Sequence, residues 1–365
     1  MDVRDFDFDL PPELIAQEPS PDRTGARLLL LRRDAGAVEH THVAALPDLL
    51  RAGDLIVVNN TRVFPARLLG RRVPSGGAVE CLLIRREEGS DPGRTGVGPG
   101  SDPVAVSANW EALMHPGQKL KPGARVEFAG THTIHGEVLE RRFFGRRLIR
   151  LWTEDGSTVD AAVDAIGHVP LPPYIKREDA PPDRDRYQTV FAKERGSIAA
   201  PTAGLHFTPA LTAALADRGV ALTEITLHVG YGTFQPVRVD RVEDHRLEVE
   251  HYEISESAAA TIEAARAEGR RIIAVGTTTT RTLEAVAQAH DGRVVAGRGS
   301  TDLFIYPGFT FRVVGGLLTN FHLPQSSLFM LVCAFAGRDR ARNAYDAAIA
   351  ERYRFYSYGD AMLIL

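Results

Sequence analysis

Cysteine is nearly absent from this chain. Only Cys81 and Cys333 occur in 365 residues, far apart and each inside an apolar run. That argues against a disulfide framework and against a cysteine-rich metal site, and it fits a reducing cytoplasm. No apolar run approaches the roughly 20 residues that a membrane span needs. The opening "MDVRDFDFDLPP" is acidic and proline-containing, so it does not read as a signal peptide. No internal repeat is visible. No G-x-G-x-x-G follows a strand, and no Gly-Lys-Ser/Thr opens a helix, so neither a dinucleotide site nor a P-loop is supported. The one His/Glu-rich stretch, "DHRLEVEHYEI", carries His245, Glu248, Glu250 and His251. It lacks helical metal spacing and reads as an alternating strand, so no metal is expected.

What is present is a charge asymmetry. The net charge is −4, but residues 62–152 hold 15 Lys+Arg against 9 Asp+Glu, giving +6 there and −10 elsewhere. Such a split hints at a surface that faces a polyanion. Arginine-rich strand faces kept for solubility explain it equally well. The same segment lacks long 3.6-residue periodicity. It offers short runs rich in β-formers: "AVECLLIRR", "PVAVSAN", "WEALMHPG", "ARVEFAG", "THTIHGEVLE" and "RRLIRLW". Several short strands separated by Gly, Pro and Asp predict a small barrel or sandwich. The Gly/Pro/Ser/Asp-rich stretch at 88–103 reads as a flexible loop.

On either side, strands alternate with helices. "LIVVN", "VALTEITLHVG" and "RRIIAVG" read as strands. "TVDAAVDAI" reads as a short helix after residue 156, and "SESAAATIEAARAEG" and "PQSSLFMLVCAFAG" as longer ones. "TPALTAALADRG" carries Thr208 as N-cap, Pro209 in the first turn and Gly219 as stop. "TTTTRTLEAVAQAH" predicts a helix with threonine caps. The fold expected is an α/β large domain built from both chain ends (1–60 and 153–365), with an inserted small all-β, barrel-like domain (61–152).

Six segments combine glycine, small residues and isolated polar side chains at element ends, where backbone can approach a ligand. "GSIAAPTAGLHFT" ends His206 on a helix start, and Thr202 and Gly204 lie within it. A helix N-terminus favours anions, and histidine can move a proton near pH 7. A buried structural histidine is the competing reading. "LHVGYGTFQPV" opens a strand end through His228 into Gly230, Gly232 and Thr233. "AVGTTTTRTLE" places Thr277 between strand and helix with Arg281 one turn in, a phosphate- or carboxylate-binding turn. "TDLFIYPGF" sets Tyr306 and Phe309 around Pro307-Gly308. "LLTNFHLPQSS" holds Asn320 and His322 before another helix. "YRFYSYGDAMLI" holds Tyr358 and Asp360 among aromatics that could stack on bases.

At these same stretches the sequence resembles the S-adenosylmethionine:tRNA ribosyltransferase-isomerase family of queuosine biosynthesis. The resemblance runs nearly end to end through "FDFDLPPELIAQEP", "NNTRVFPARLLG", "IGHVPLPPYI", "YQTVFA", "AAPTAGLHF", "LHVGYGTFQPV", "DLFIYPGF", "LLTNFHLPQSSLFMLVCAFAG" and "YRFYSYGDAMLI". One departure stands out. Where the family carries His-x-Met-His-Ser-Glu, this chain has His245, Leu247, Glu248 and Glu250, so Glu248 replaces a histidine.

The resemblance implies transfer of the ribosyl moiety of S-adenosyl-L-methionine (AdoMet), a co-substrate, to 7-aminomethyl-7-deazaguanine at the tRNA wobble position. Epoxyqueuosine would form, with release of adenine and methionine. The partner would be a tRNA with a GUN-type anticodon, and the enzyme a cytoplasmic monomer. Under this reading His206 is a candidate base with His228 and His322 as rivals, and Asp360 pairs with the substrate amine or base edge. Thr202, Gly204, Gly230, Gly232, Thr233, Thr277, Asn320 and Tyr358 bind substrate, and Tyr306 and Phe309 stack on it. Arg62, Arg67, Arg71, Arg72 and Arg281 meet tRNA phosphate. Two other classes compete: an AdoMet-dependent transferase with a small-molecule acceptor, and a non-catalytic RNA-binding protein.

Overall fold

The computed structural model describes residues 1–87, 107–234 and 237–365, with the side chains of Thr233 and Phe234 excepted. The loop expected at 88–103 lies outside the described residues. The chain divides into two units: Met1–Val63, Pro172–Arg177 and Asp185–Leu365 in one, Phe64–Leu171 and Glu178–Arg184 in the other.

The first unit is built on strands β1 (Arg27–Leu31), β2 (Val38–His42) and β3 (Leu55–Asn59). A short helix α1 (Leu46–Leu49) precedes β3, and a short strand β4 (Thr61–Val63) follows it. The chain then enters the second unit, a closed barrel. Its strands are β5 (Arg67–Val73), β6 (Ala78–Arg86), β7 (Ser107–His115), β8 (Arg125–Ala129), β9 (Thr133–Arg141) and β10 (Arg146–Trp152). Their order around the barrel is β10-β7-β6-β5-β8-β9. The interior is filled by alternate residues, among them Leu68, Cys81, Leu83, Ala112, Phe128, Ile149 and Leu151, all fully buried. Gly136 is required by that crowding. A Cβ there would fall within 2.8–3.0 Å of Val126, Ile149 and Leu151. Residues 103–106 of the expected strand "PVAVSAN" lie outside the described residues; its last three residues run on into "WEALMHPG" as one strand, β7. Helix α2 (Val159–Ile166) packs with the barrel, and not with the α/β unit as a boundary at residue 153 would have it.

After the four-residue helix α3 (Asp183–Arg186) the large unit resumes with β11 (Glu194–Ser197), parallel to β4. Then come α4 (Pro209–Asp217), β12 (Ala221–Leu227), β13 (Glu250–Ile254), α5 (Glu256–Ala267), β14 (Ile272–Val275) and α6 (Thr277–Ala289). The chain ends with β15 (Gly297–Thr301), β16 (Gly316–Asn320), α7 (Ser327–Ala336), α8 (Arg338–Ala350) and β17 (Ala361–Ile364). Nine strands form one sheet in the order β15-β13-β12-β3-β14-β16-β17-β1-β2. β12, β3, β14 and β16 are mutually parallel, and β13, β15 and β2 add antiparallel edges.

Both sheet faces are buried, which is why the central strands read as continuous apolar runs. Leu55, Val57, Ile272, Ala274, Met362 and Ile364 face one core with α5, α6, α7 and α8. Ile56, Val58, Ile273, Val275 and Leu363 face the other with α4. Thr208 caps α4 by accepting from the Leu211 amide, and Pro209 sits in its first turn as predicted. The "NN" of the sequence is structural. The Asn59 amide donates to the Leu227 carbonyl (2.9 Å) and accepts from the amides of Thr61 and Leu227, fastening the end of β12 beside β3.

Candidate active site

The parallel strands β12, β14 and β16 direct their carboxyl ends to one rim of the sheet. Open α/β sheets place ligands there. A cavity of about 470 Å³ lies at this rim, wholly within the large unit. Val229 beyond β12, Gly276 beyond β14, and Thr319 and Asn320 at the end of β16 line it. The segment Ala200–Ala203 forms another wall, and Tyr174 and Tyr356 a third.

Two helix N-termini open onto the cavity. At α6 the N-cap is Gly276, with φ 91°, ψ 155° and no side-chain cap. Only glycine adopts that conformation without strain. The first amides of α6 therefore keep their donors for another acceptor. The expected threonine caps are not formed. Thr279 and Thr280 lie inside the helix and bond back to the carbonyls of Val275 (2.8 Å) and Gly276 (3.1 Å), while Thr277 and Thr278 line the cavity. At α7, Ser326 accepts from the Phe329 amide, and Ser326, Ser327 and Leu328 line the same space.

The aromatic wall is tightly held. The Tyr174 and Tyr356 rings lie 3.9 Å apart between centroids, and the Tyr174 and Ser357 hydroxyls are 2.5 Å apart. Tyr356 occupies the left-handed region at φ 74°, an uncommon conformation for so bulky a residue. Burial raises the pKa of both phenols, so they present neutral faces and hydroxyls. Neither tyrosine stood out in the sequence. "PPYI" reads only as a proline-rich turn, and Tyr356 is one aromatic among several.

Asn320 organises the floor. Its side-chain oxygen accepts from the Thr202 hydroxyl (3.0 Å), and its amide donates to the Tyr356 carbonyl (3.2 Å) and to His206 Nε2 (3.2 Å). Thr202, Thr277 and the Asn320–His322 segment thus meet in one cavity although they stand far apart in sequence.

The histidines separate. His322 alone of the three lines the cavity. Its Nε2 is 2.9 Å from the Thr319 hydroxyl, and burial lowers its pKa to about 3. His206 is buried behind the floor beside Tyr358, with Nε2 taken by Asn320 and the Arg23 carbonyl as its other partner. Burial lowers its pKa to about 4. His228 is half-buried, 2.9 Å from the Thr61 hydroxyl, and also lowered by burial. It lies against Gly196, where a Cβ would come within 2.6 Å of the imidazole. Neither His206 nor His228 reaches the cavity wall.

Several other positions also lie away from it. The Asp360 carboxylate is buried and accepts from the amides of Arg27 (3.1 Å) and Arg354 (2.8 Å), so it fixes the entry to β17. Tyr358 packs edge-on against Tyr187. Gly204 admits Thr189, and Gly232 admits Glu248, at distances a Cβ would violate. The Gly230 amide donates to Glu250 (3.1 Å). Tyr306 and Phe309 pack against Phe304 and Phe311 on the apolar core. The Thr233 side chain is outside the described residues.

The arginines also sort by burial. Arg281, expected at tRNA phosphate, is buried instead: it is 4% exposed and ion-paired with the equally buried Glu250, and its Nε and Nη1 have no hydrogen-bond partner among the described residues. Arg67 pairs with Glu80 and Glu178 at 2.7 Å each, and Arg71 pairs with Glu127. Arg72 lies over Gly77, and Arg62 is exposed. Among the described residues no group of three or more His, Cys, Asp or Glu is placed to hold a metal ion. No helix among them is long and apolar enough to cross a membrane.

An open α/β sheet with a cavity at its strand ends, flanked by two helix N-termini and an aromatic wall, has the layout of an α/β ligand-binding site, with donors suited to an anionic group and faces suited to flat rings. A six-stranded barrel inserted in the chain narrows the class further. The chain belongs to the family described as queuosine biosynthesis protein, whose model matches residues 3–364. It is 48% identical over 365 residues to the S-adenosylmethionine:tRNA ribosyltransferase-isomerase of Desulfitobacterium hafniense, with 100% of both chains covered. The protein of the same name from Moorella thermoacetica is 47% identical over 365 residues, again with 100% of both covered. Among solved structures it is similar to the S-adenosylmethionine tRNA ribosyltransferase of Thermotoga maritima. That match has 35% identity and a TM-score of 0.53, covering 99% of this chain and 100% of the other.

Proposed function

We propose that this chain is an S-adenosylmethionine:tRNA ribosyltransferase-isomerase. It moves the ribosyl moiety of AdoMet onto 7-aminomethyl-7-deazaguanine at the wobble position of a GUN-type tRNA. Epoxyqueuosine-tRNA forms, and adenine and methionine leave. The named relatives support the activity, and one structural observation supports the placement of AdoMet. The cavity combines an uncapped α6 N-terminus with the Tyr174–Tyr356 wall. The helix amides suit the methionine carboxylate, and the aromatic faces suit a base. The sulfonium cation acidifies the adjacent ribose carbon, so a neutral base is needed beside it. His322 is the imidazole on the cavity wall, and burial lowers its pKa, which favours the neutral form a base needs. His206 then acts through Asn320 as a positioning residue. The basic 62–152 segment would meet the tRNA backbone. A monomer in the cytoplasm completes this reading.

The test uses AdoMet and an anticodon stem-loop bearing 7-aminomethyl-7-deazaguanine. Ribosyl mass gain on the RNA, with one adenine and one methionine released, is expected. Transfer of a methyl group alone, or adenine release that ignores RNA, would sink the reading. The latter would favour a small-molecule acceptor. RNA binding with no adenine release would leave a non-catalytic binder. His322→Gln is expected to lower kcat at least 100-fold with AdoMet affinity kept.

A further inference from the structure

The barrel exposes two aromatic side chains that its own packing does not use. Phe143 is 86% and Phe144 is 91% exposed, at the turn between β9 and β10. The next most exposed large hydrophobic among the described residues is Val249, at 54% and in the other unit. Phe144 also holds φ 56°, ψ 33°, a left-handed conformation that bulky residues rarely adopt.

The turn is braced from beneath rather than loose. The Arg142 amide donates to the Arg146 carbonyl (2.9 Å), and the Arg142 guanidinium donates to Glu87 (2.6 Å). Arg147 is buried and donates to four carbonyls, those of Gly117, Leu120, Gly145 and Arg146, at 2.7–3.0 Å. A fixed backbone therefore holds both rings out in water.

We infer that this turn is a contact for the substrate tRNA, with Phe143 and Phe144 stacking on unpaired bases. The inference rests on the tRNA reading proposed above and deepens it. Charge complementarity selects this occupant. "RRFFGRRLIR" puts five arginines into residues 141–150, within a segment of net +6; Arg141 and Arg150 are exposed, while Arg142 and Arg146 are half-buried against Glu87 and Glu111 and Arg147 is buried beneath the turn. Exposed rings set among arginines are what single-stranded nucleic acid requires, because every base offers a stacking face and every link a phosphate. A second copy of this chain would meet like charge at the same place.

Phe143→Ala/Phe144→Ala is expected to raise both the tRNA Kd and the KM for tRNA about 10-fold or more. The kcat at saturating tRNA and the KM for AdoMet should not move. Phe143→Trp/Phe144→Trp should keep wild-type affinity, which loss of a merely structural side chain would not allow. Fluorescence of Trp110 and Trp152, both barrel residues, checks that the barrel remains folded. An unchanged tRNA Kd in the alanine pair would overturn the inference. So would a shift in sedimentation with the tRNA Kd unchanged, because the turn would then join two copies. Failure of the wild type to release adenine with tRNA refutes the proposed reaction instead, and the binding comparison still reads the turn.

Discussion

Replacing Glu250 by Gln should destabilise the large unit severely. Arg281 and Glu250 are each 4% exposed, so neither partner has water to fall back on. Among the described residues the guanidinium Nε and Nη1 have no hydrogen-bond partner, and Glu250 is the ion-pair partner of Arg281. Breaking a buried ion pair from one side costs about 3–5 kcal/mol, because an uncompensated charge remains. Glu250 also holds the Gly230 amide at 3.1 Å, and a glutamine rotated to present its oxygen there turns its amide toward the guanidinium. With an m-value of about 3 kcal/mol per molar in urea, the midpoint should fall by about 1 M or more. Circular dichroism at 222 nm is the right probe, since all long helices lie in the large unit while both tryptophans lie in the barrel. Glu250→Leu combined with Arg281→Met should recover most of the loss, because an apolar pair of similar volume leaves no charge stranded. A midpoint shift below about 0.3 M for Glu250→Gln, under about 1 kcal/mol, would refute the reasoning.

Three further outcomes are expected. His206 and His322 are held neutral, with pKa values lowered by burial to about 4 and about 3. The unfolded chain takes up protons first, so stability is complete above about pH 6.5 and declines as pH falls toward those values. For His206 the loss is on the order of 3 kcal/mol between pH ~7 and ~4. His206→Gln should flatten that slope in urea titrations run across the interval, and an equal slope would count against a buried neutral imidazole. Gly276→Ala forces a side chain into φ 91° at the α6 N-terminus. It should weaken AdoMet binding about 10-fold in calorimetry and cost about 1–3 kcal/mol of stability. Asn320→Ala removes the links to Thr202, His206 and Tyr356 together. It should cost about 2–3 kcal/mol in thermal unfolding and lower AdoMet affinity, whereas loss of stability alone would separate Asn320 from the cavity's function.

The fold was largely legible because its signals are local. Short β-rich runs between turn residues marked the barrel, and alternating strand and helix patterns marked the α/β layer. Thr208, Pro209 and Gly219 marked one helix from cap to stop. Threonine placement misled at α6, where hydroxyls bond back along the helix and a glycine does the capping. The site was legible only in outline. Thr202, Thr277, Asn320 and His322 do share a cavity, but polar residues beside glycines look alike whether they face a ligand or fasten a strand. Asp360 and His228 are of the second kind. Tyr174 carries no local signal, since its role depends on Tyr356 lying 182 residues away in the chain and 3.9 Å away in space.

Periodicity, turn chemistry and long ordered motifs are written along the chain, so the element pattern, the inserted β unit, the basic segment and the family could all be read from it. Tertiary structure decided which polar groups meet. Burial made His206 and His322 neutral, turned Arg281 from a surface cation into half of a buried pair, and brought Tyr174 and Tyr356 together as one wall. These outcomes depend on dielectric and distance across the fold, and neighbours along the chain specify neither.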